Sequence, residues 1–280
     1  MPIVHSQALS HTKQATMTND TPPEALLTRN DNAGVTTLTL NRPAAHNTLS
    51  IALLSALQTQ LDEIATDAAT RVVIIAAQGK TFCAGHDMNE MRANPARQNH
   101  QALFDQCARM MLSIVNSPKP VIARVQGMAT AAGCQLVASC DLAIASESSG
   151  FCTPGVNIGL FCSTPMVALS RNVPRKIAME MLLTGNVMTP EAAAQWGLIN
   201  QVVADDVLID ETEALAAQIA SKSSMTLATG KKAYYEQIDM SLANAYSHTG
   251  RVMAENMMAH DAIEGIDAFL EKRTPVWQDR

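Results

Sequence analysis

Apolar positions along the chain fall into two spacings, and these give the elements. Val35–Leu40 (VTTLTL) is short and rich in β-branched residues, which predicts a strand. Ser50 precedes Leu54, Leu57, Leu61 and Ile64, one face of a helix with Ser50 placed to cap it. Arg71–Ala77 (RVVIIAA) is a continuous apolar run of strand length, expected to be buried on both faces. A loop rich in glycine and small residues is expected over Gln78–Met91. Helical spacing returns over His100–Asn116, through Leu103, Cys107, Met111 and Ile114, and stops at Pro118 and Pro120. Val121–Val125 predicts another strand. The small residues of Gly127–Gly133 lead into a helix opening near Ala132, and Asp141–Ala145 is again strand-like. Strands alternating with helices argue for an α/β fold with parallel pairing.

After about Thr164 the strand signal largely disappears. Thr189-Pro190-Glu191 is a helix start, a capping hydroxyl followed by Pro at the first helical position. Thr212–Ser221, Ser224–Ile238, Leu242–Met258 and Ala262–Lys272 all carry helical spacing. An α/β body followed by a helical C-terminal part is the expected organisation, with no solenoid repeat. Met253, Met257 and Met258 share a helical face, expected to pack in the core or against another subunit. The segment from Met1 to about Asn30 is polar and irregular, with Pro2, Pro22 and Pro23. It has no apolar stretch of a secretory signal. It lacks acids up to Asp20, as transit peptides do, but Lys13 and Arg29 are too few positive charges for one, so a flexible extension is expected.

Composition narrows the function. The chain has 280 residues, 47% of them apolar, with 20 basic against 26 acidic side chains and a net charge of −6. That excludes wholesale disorder and offers no basic footprint for nucleic acid. Apolar runs such as Val72–Ala77 fall well short of the roughly 20 residues a membrane-spanning helix needs. The cysteines, Cys83, Cys107, Cys134, Cys140, Cys152 and Cys162, form no CxxC pair or zinc spacing and sit among apolar or small neighbours. Buried thiols in a reducing cytoplasm are the expectation. The histidines form no HExxH, so no metal site is expected.

Two loops carry candidate chemistry. Phe82-Cys83-Ala84-Gly85-His86-Asp87-Met88 follows the buried strand, and Gln126–Gln135 follows Val121–Val125 and opens a helix. Small residues let a ligand approach the main chain, and a helix N-terminus presents free N–H groups. One N–H from each loop would polarise a carbonyl oxygen. Tight packing of helix on strand explains the small residues equally well.

Asn41-Arg42-Pro43 with Asn47 and Leu49, the Ala84-Gly85-x-Asp87 loop and the Gly127…Gly133-Cys134 loop resemble the enoyl-CoA hydratase/isomerase (crotonase) superfamily. So do Gln195-Trp196-Gly197-Leu198 and Glu264–Arg273, over residues 26–277 in all. The run Thr153–Pro165 is most similar to the subgroup of enoyl-CoA hydratase domain-containing protein 3. The resemblance implies a spiral of ββα turns with C-terminal helices that form a homotrimer or a dimer of trimers. It implies a flexible extension at 1–25, an acyl-CoA-binding core at 26–205, and a helical region at 206–280 that trimerises and completes the CoA site. The ligand would be an acyl-CoA thioester, with no cofactor beyond the CoA of the substrate. The oxyanion donors would be the N–H groups of His86 and Ala132. Ala44, Ala45, His46 and Ala84 would line the CoA adenine site, with Asp87, Met88 and Asn89 beside it. Phe269 and Lys272 match the family's C-terminal CoA contacts.

The resemblance also exposes a departure. Hydratases of this family hold one water between two glutamates, and the matching positions here are Gln135 and Gly155. A glutamine amide hydrogen-bonds water but carries no proton to or from it, and glycine offers no side chain. Cys162, Ser163, Thr153, Asn157, Asp87 and the His86 imidazole are the candidates for a replacement group. Two readings stay open: an enzyme using other chemistry on an acyl-CoA, and a silent CoA-thioester binder with a regulatory or sequestering role.

Overall fold

The structure is a computed structural model and describes residues 25–280. Apart from Ala25, the extension expected at 1–25 lies outside the described residues. Two sheets organise the chain. β1 (Leu27–Asn32) and β2 (Val35–Leu40) form an antiparallel hairpin. The helix α1 (Ile51–Thr66) follows, its first turn capped by the Ser50 hydroxyl, which accepts from Leu53 N–H at 3.2 Å. Then come β3 (Val72–Ala77), β4 (Thr81–Cys83), α2 (Met88–Ala93) and α3 (Arg97–Asn116). β5 (Val121–Val125), β6 (Met128–Thr130) and α4 (Ala132–Ser139) make the next turn, and β7 (Leu142–Ser146) and β8 (Gly150–Cys152) begin another. The large sheet runs β1-β2-β3-β5-β7, completed at its edge by β9 (Gln201–Val203), and the small one runs β4-β6-β8. Each turn gives one strand to each sheet before a helix returns the chain, which is a spiral. Among the described residues, the pairings between strands beyond the β1–β2 hairpin are parallel, and Met188 adds an isolated antiparallel bridge to Phe151 of β8.

The large sheet is covered on both faces. Val73 and Ile75 of β3 face α1 and α3, which bury Leu54, Leu57, Leu61, Leu103, Cys107 and Ile114. Val72, Ile74 and Ala76 face the other way, onto Ala216, Leu215 and Ile219 of α8 (Leu208–Ala220). This is why β3 lacks any polar alternation. Between β8 and α8 lie α5 (Pro165–Asn172), α6 (Arg175–Thr184) and α7 (Pro190–Gln195), the last capped by Thr189.

Several expectations needed correction. The segment to Asn30 is not irregular throughout: β1 begins at Leu27. It is polar because it is an edge strand with most residues exposed, and the turn signal lay in Ala33-Gly34, both at positive φ. The loop Gln78–Met91 contains β4 and the start of α2. β4, β6 and β8 have three residues each, too few to show a period.

The chain ends in α9 (Ser224–Gln237), α10 (Leu242–Met257) and α11 (His260–Glu271). A cluster of polar groups ties α9 to the body. Lys231 Nζ donates to Asp141 at 2.7 Å and to the carbonyls of Ile114 and Lys119, and the Tyr235 hydroxyl donates to the same carboxylate at 3.0 Å. Asp141 also accepts from Val121 N–H, joining β5 to the entry of β7. The outer helices are far less covered: Met253, Met257, Met258, Ile263 and Leu270 are exposed. The methionine face therefore does not pack in the core of a single chain. Lys231→Ala would leave the Asp141 carboxylate with its charge partner gone. It should cost about 3 kcal/mol, read as a drop in the midpoint of urea unfolding, and an unchanged midpoint would show that α9 is held by apolar packing alone.

Candidate functional site

The small sheet builds the site. In register, Cys83 of β4 lies beside Ala129 of β6, and Thr130 beside Cys152 of β8. The residues that follow these strands, Ala84-Gly85-His86, Ala131-Ala132 and Thr153-Pro154-Gly155, leave the same edge of the sheet. His86, Ala132, Gln135 and Gly155, far apart in sequence, are gathered there.

Main-chain contact sets the spacing of the first two loops. Gly85 (φ 91°) leaves no room for a side chain: a Cβ there would lie 3.1 Å from Thr130 O, 3.2 Å from Ala131 Cβ and 3.6 Å from Ala132 N. Gly133 is tighter still. A Cβ on it would lie 2.8 Å from the Cys83 carbonyl carbon and closer to its oxygen. The first turn of α4 thus rests directly on the end of β4. Among the described residues, neither His86 N–H nor Ala132 N–H donates to a main-chain or side-chain oxygen, and Ala132 is the first residue of a helix. The preceding Ala131 sits at φ 50°, ψ −112°, a conformation that suits glycine. The small residues serve packing, and the packing leaves a free donor on each of the two touching loops.

A second set of contacts fixes the first loop from outside. Asn47 Nδ2 donates to the carbonyls of Gln78 and Thr81, and its Oδ1 accepts from Arg42 N–H. Arg42 reaches Thr48 O and pairs with Asp87 at 3.1 Å. Asp87 also caps α2, accepting from Asn89 and Glu90 N–H at 3.1 and 3.3 Å. Burial opposes the Asp87 charge, but Arg42 and the amides outweigh it and hold the carboxyl below its ordinary range. Asp87 is therefore a brace. His46 O accepts from Ala84 N–H at 3.0 Å, and Leu49 N–H donates to Gly85 O at 2.8 Å. These bonds bring Ala44, Ala45 and His46 against Ala84, with Met88 and Asn89 exposed on the first turn of α2. Phe269 and Lys272 do not join them: Phe269 is 81% exposed, and Lys272 closes α11 in the left-handed region with no ion pair among the described residues.

Inside the site the side chains are neutral. The two ring nitrogens of His86, Gln135 Oε1 and Thr153 Oγ1 are buried without a hydrogen-bond partner. Burial pushes the His86 imidazole below its ordinary pKa, and the Leu49 main chain beside it offsets part of this. The ring stands edge-on to Phe104 of α3, centroids 5.5 Å apart. Thr153 was among the candidates for a replacement group, whereas Phe104 was not legible as a site residue, because it lies beside the apolar stripe of α3. The space at Gly155 is filled: a Cβ would lie 2.9 Å from Leu160 O and 3.0 Å from Cys162 Sγ. Burial raises the Cys162 pKa, so near neutrality it is a thiol and a poor nucleophile. All six cysteines are free and buried.

Comparison with known proteins agrees with this architecture. The enoyl-CoA hydratase/isomerase family profile matches residues 30–280. A human relative, enoyl-CoA hydratase domain-containing protein 3, mitochondrial, is 46% identical over 244 residues, 87% of this chain and 80% of that protein. The crystal structure of human enoyl-CoA hydratase domain-containing protein 3 superposes with a TM-score of 0.88 at 45% identity, over 90% of this chain and 100% of that one. A Mycobacterium smegmatis enoyl-CoA hydratase structure gives 0.89 at 52% identity, over 91% and 99%. The chain belongs to the enoyl-CoA hydratase/isomerase family and has its crotonase-like fold. The cytoplasmic placement expected from the thiols is overturned by the relatives, which are named as mitochondrial proteins. Buried thiols stay reduced by inaccessibility, so they report no compartment.

Two substitutions test the loop geometry. Ala131→Gly should relieve about 1–3 kcal/mol of strain against roughly 0.4–1 kcal/mol of added unfolded-chain freedom. The melting temperature should then rise by about 2–4 °C, and a fall would show Ala131 to be unstrained. Gly133→Ala should lower the melting temperature sharply, because main chain at Cys83 must move; a neutral result would mean that α4 does not rest on β4.

Proposed function

We propose that the site binds an acyl-CoA thioester and polarises its carbonyl with the N–H groups of His86 and Ala132. The observation that carries this reading is the pair of unclaimed donors on two loops held in contact at Gly85. Donors fixed before the ligand arrives stabilise a developing oxyanion without reorganisation, an effect commonly worth about 10²–10³-fold per donor. The CoA portion would lie along Ala44, Ala45, His46 and Ala84, beside Met88 and Asn89, with Asp87 acting through the brace it forms with Arg42. Phe269 and Lys272 would reach the ligand from a neighbouring subunit of a homotrimer or dimer of trimers. The exposed apolar faces of α10 and α11 support that assembly.

Ordinary hydration of an enoyl-CoA should be very slow. General acid–base groups contribute about 10²–10⁴-fold each, and Gln135 and Gly155 supply neither of the two. Chemistry that needs a polarised thioester but no doubly held water remains open to such a site. A catalytically silent CoA-thioester binder is the second reading, and the same missing carboxylates favour it.

Crotonyl-CoA turnover by the purified protein, paired with calorimetric titration of CoA and acyl-CoAs, tests both. Binding with turnover far below that of glutamate-bearing hydratases is expected. Gln135→Glu should recover part of the hydration rate, up to about 10²-fold. Gly155→Glu alone should recover nothing, since its side chain meets Leu160 O and Cys162 Sγ. Rapid hydration by the wild type would overturn the argument from the missing glutamates.

A further inference from the structure

We propose that residues 274–280 form a strap that docks α11 on the body of the chain, with Asp261 and Asp279 as the positioning residues that hold Phe269 and Lys272 for the ligand site of a neighbouring subunit. The positioning role rests on the ligand mode proposed above, in which those two side chains reach across. The strap itself rests on contacts within one chain.

α11 has little hold of its own. Of its twelve residues only Asp261 and Ala268 are buried, while Ile263, Ile266, Phe269 and Leu270 are exposed. A helix with so few buried apolar contacts opens locally unless something else ties it down. Phe269 and Lys272 lie where this helix ends and the tail begins, so their position follows whatever holds the two together.

The tail supplies that hold. After Lys272 the chain reverses, with Arg273 N–H donating to Ala268 O at 3.0 Å, and runs back along the helix. Glu264 takes the Arg273 guanidinium on both oxygens, at 2.6 and 2.9 Å, and accepts from Val276 N–H at 2.7 Å. Trp277 lies over Gly265, where a Cβ would come within 3.2 Å of the ring. One turn further back, Asp261 accepts from Gln278 N–H at 2.8 Å and from Asp279 N–H at 2.9 Å. Its own N–H donates to Arg280 O at 3.0 Å.

The other side of the tail grips the body. Trp277 Nε1 donates to Ser221 O at 2.9 Å. Asp279 accepts from Ser224 N–H at 2.6 Å and pairs with Arg71 at 2.8 Å. Arg71, just before β3, also donates to the carbonyls of Ala220 and Lys222. The tail is thus bonded to α11 on one side and to the junction of α8 with α9 on the other. Asp261 is the one buried acid among the described residues, and a buried carboxylate is tolerated only when it is paired or hydrogen-bonded. Burial opposes its charge, but the Ser223 hydroxyl and the two tail amides outweigh it and hold the carboxyl below its ordinary range. With the tail lifted, that carboxylate would lose both main-chain donors, so α11 keeps its place only while the strap is down.

The test is amide hydrogen exchange of the full-length protein, read by mass spectrometry, with butyryl-CoA affinity measured on the same samples by calorimetry. Asp261→Ala removes the acceptor of both tail amides. Peptides from α11 and the tail should then exchange about tenfold faster, while those of β3 and β5 keep the wild-type rate. Affinity should fall by about tenfold. Phe269→Ala with Lys272→Ala should also weaken binding, and adding Asp261→Ala to that pair should cost nothing further, since a positioning residue acts only through the groups it positions. Asp279→Asn suits the left-handed backbone there, at φ 56°, and removes the charge facing Arg71. It should speed exchange in the same peptides by a smaller factor, and it stands in if Asp261→Ala does not fold. Unchanged exchange in these variants overturns the strap. Faster exchange with unchanged affinity, or a further loss of affinity in the triple variant, overturns the positioning role. Absence of butyryl-CoA binding by the wild type overturns the ligand mode and the positioning role with it, while the exchange rates still decide the strap.

Discussion

The site depends on one close approach, the first turn of α4 resting on the carbonyl of Cys83 through Gly133. A methyl group at that point would push the helix off the strand. Because it is absent, the α4 N-terminus is delivered to the loop that leaves β4, and Gly85 closes the remaining gap against Thr130 and Ala131. The rest of the local architecture maintains that contact. Asn47 staples the neighbouring turn to Gln78 and Thr81, and Arg42 and Asp87 hold α2 at the far side of the loop. Two unclaimed N–H groups are the residue of this packing: helix termini always leave such groups, and here the second loop brings another beside them.

The anchoring of the molecule is separated from the site along the strands. Asp141, Val121 and Lys231 meet where β5 and β7 begin, while the candidate groups follow the ends of β4, β6 and β8. Charge is concentrated at the first place, where an ion pair and a tyrosine hydroxyl hold α9 down. It is excluded from the second, where amide, hydroxyl and imidazole side chains stand neutral. Fixed dipoles act most strongly where such neutral groups are buried away from solvent.

Much of this was legible in the sequence, and the exceptions have physical causes. α1 and α3 show their apolar stripes, and β3 shows a run with no polar interruption because it is covered on both faces. β4, β6 and β8 are hidden by their brevity, and β1 by the polarity of an exposed edge. Family resemblance singled out His86, Ala132, Gln135 and Gly155, which spacing alone left within loops rich in small residues. What no pattern could reveal was the partnership of groups remote in sequence: Arg42 with Asp87, Lys231 with Asp141, His86 with Phe104. Gly155 is the sharpest case. As a letter it suggests an empty place, and in the structure that place is taken by Cys162 and the carbonyl of Leu160.

That occupancy constrains descent. A glutamate arising at 155 by one codon change would enter space already claimed by a thiol and a peptide oxygen. The loop through Leu160 would have to shift and Cys162 recede before such a side chain fitted. Position 155 thus accepts a side chain only after positions 160 and 162 have moved, which ties the three together as one unit of change.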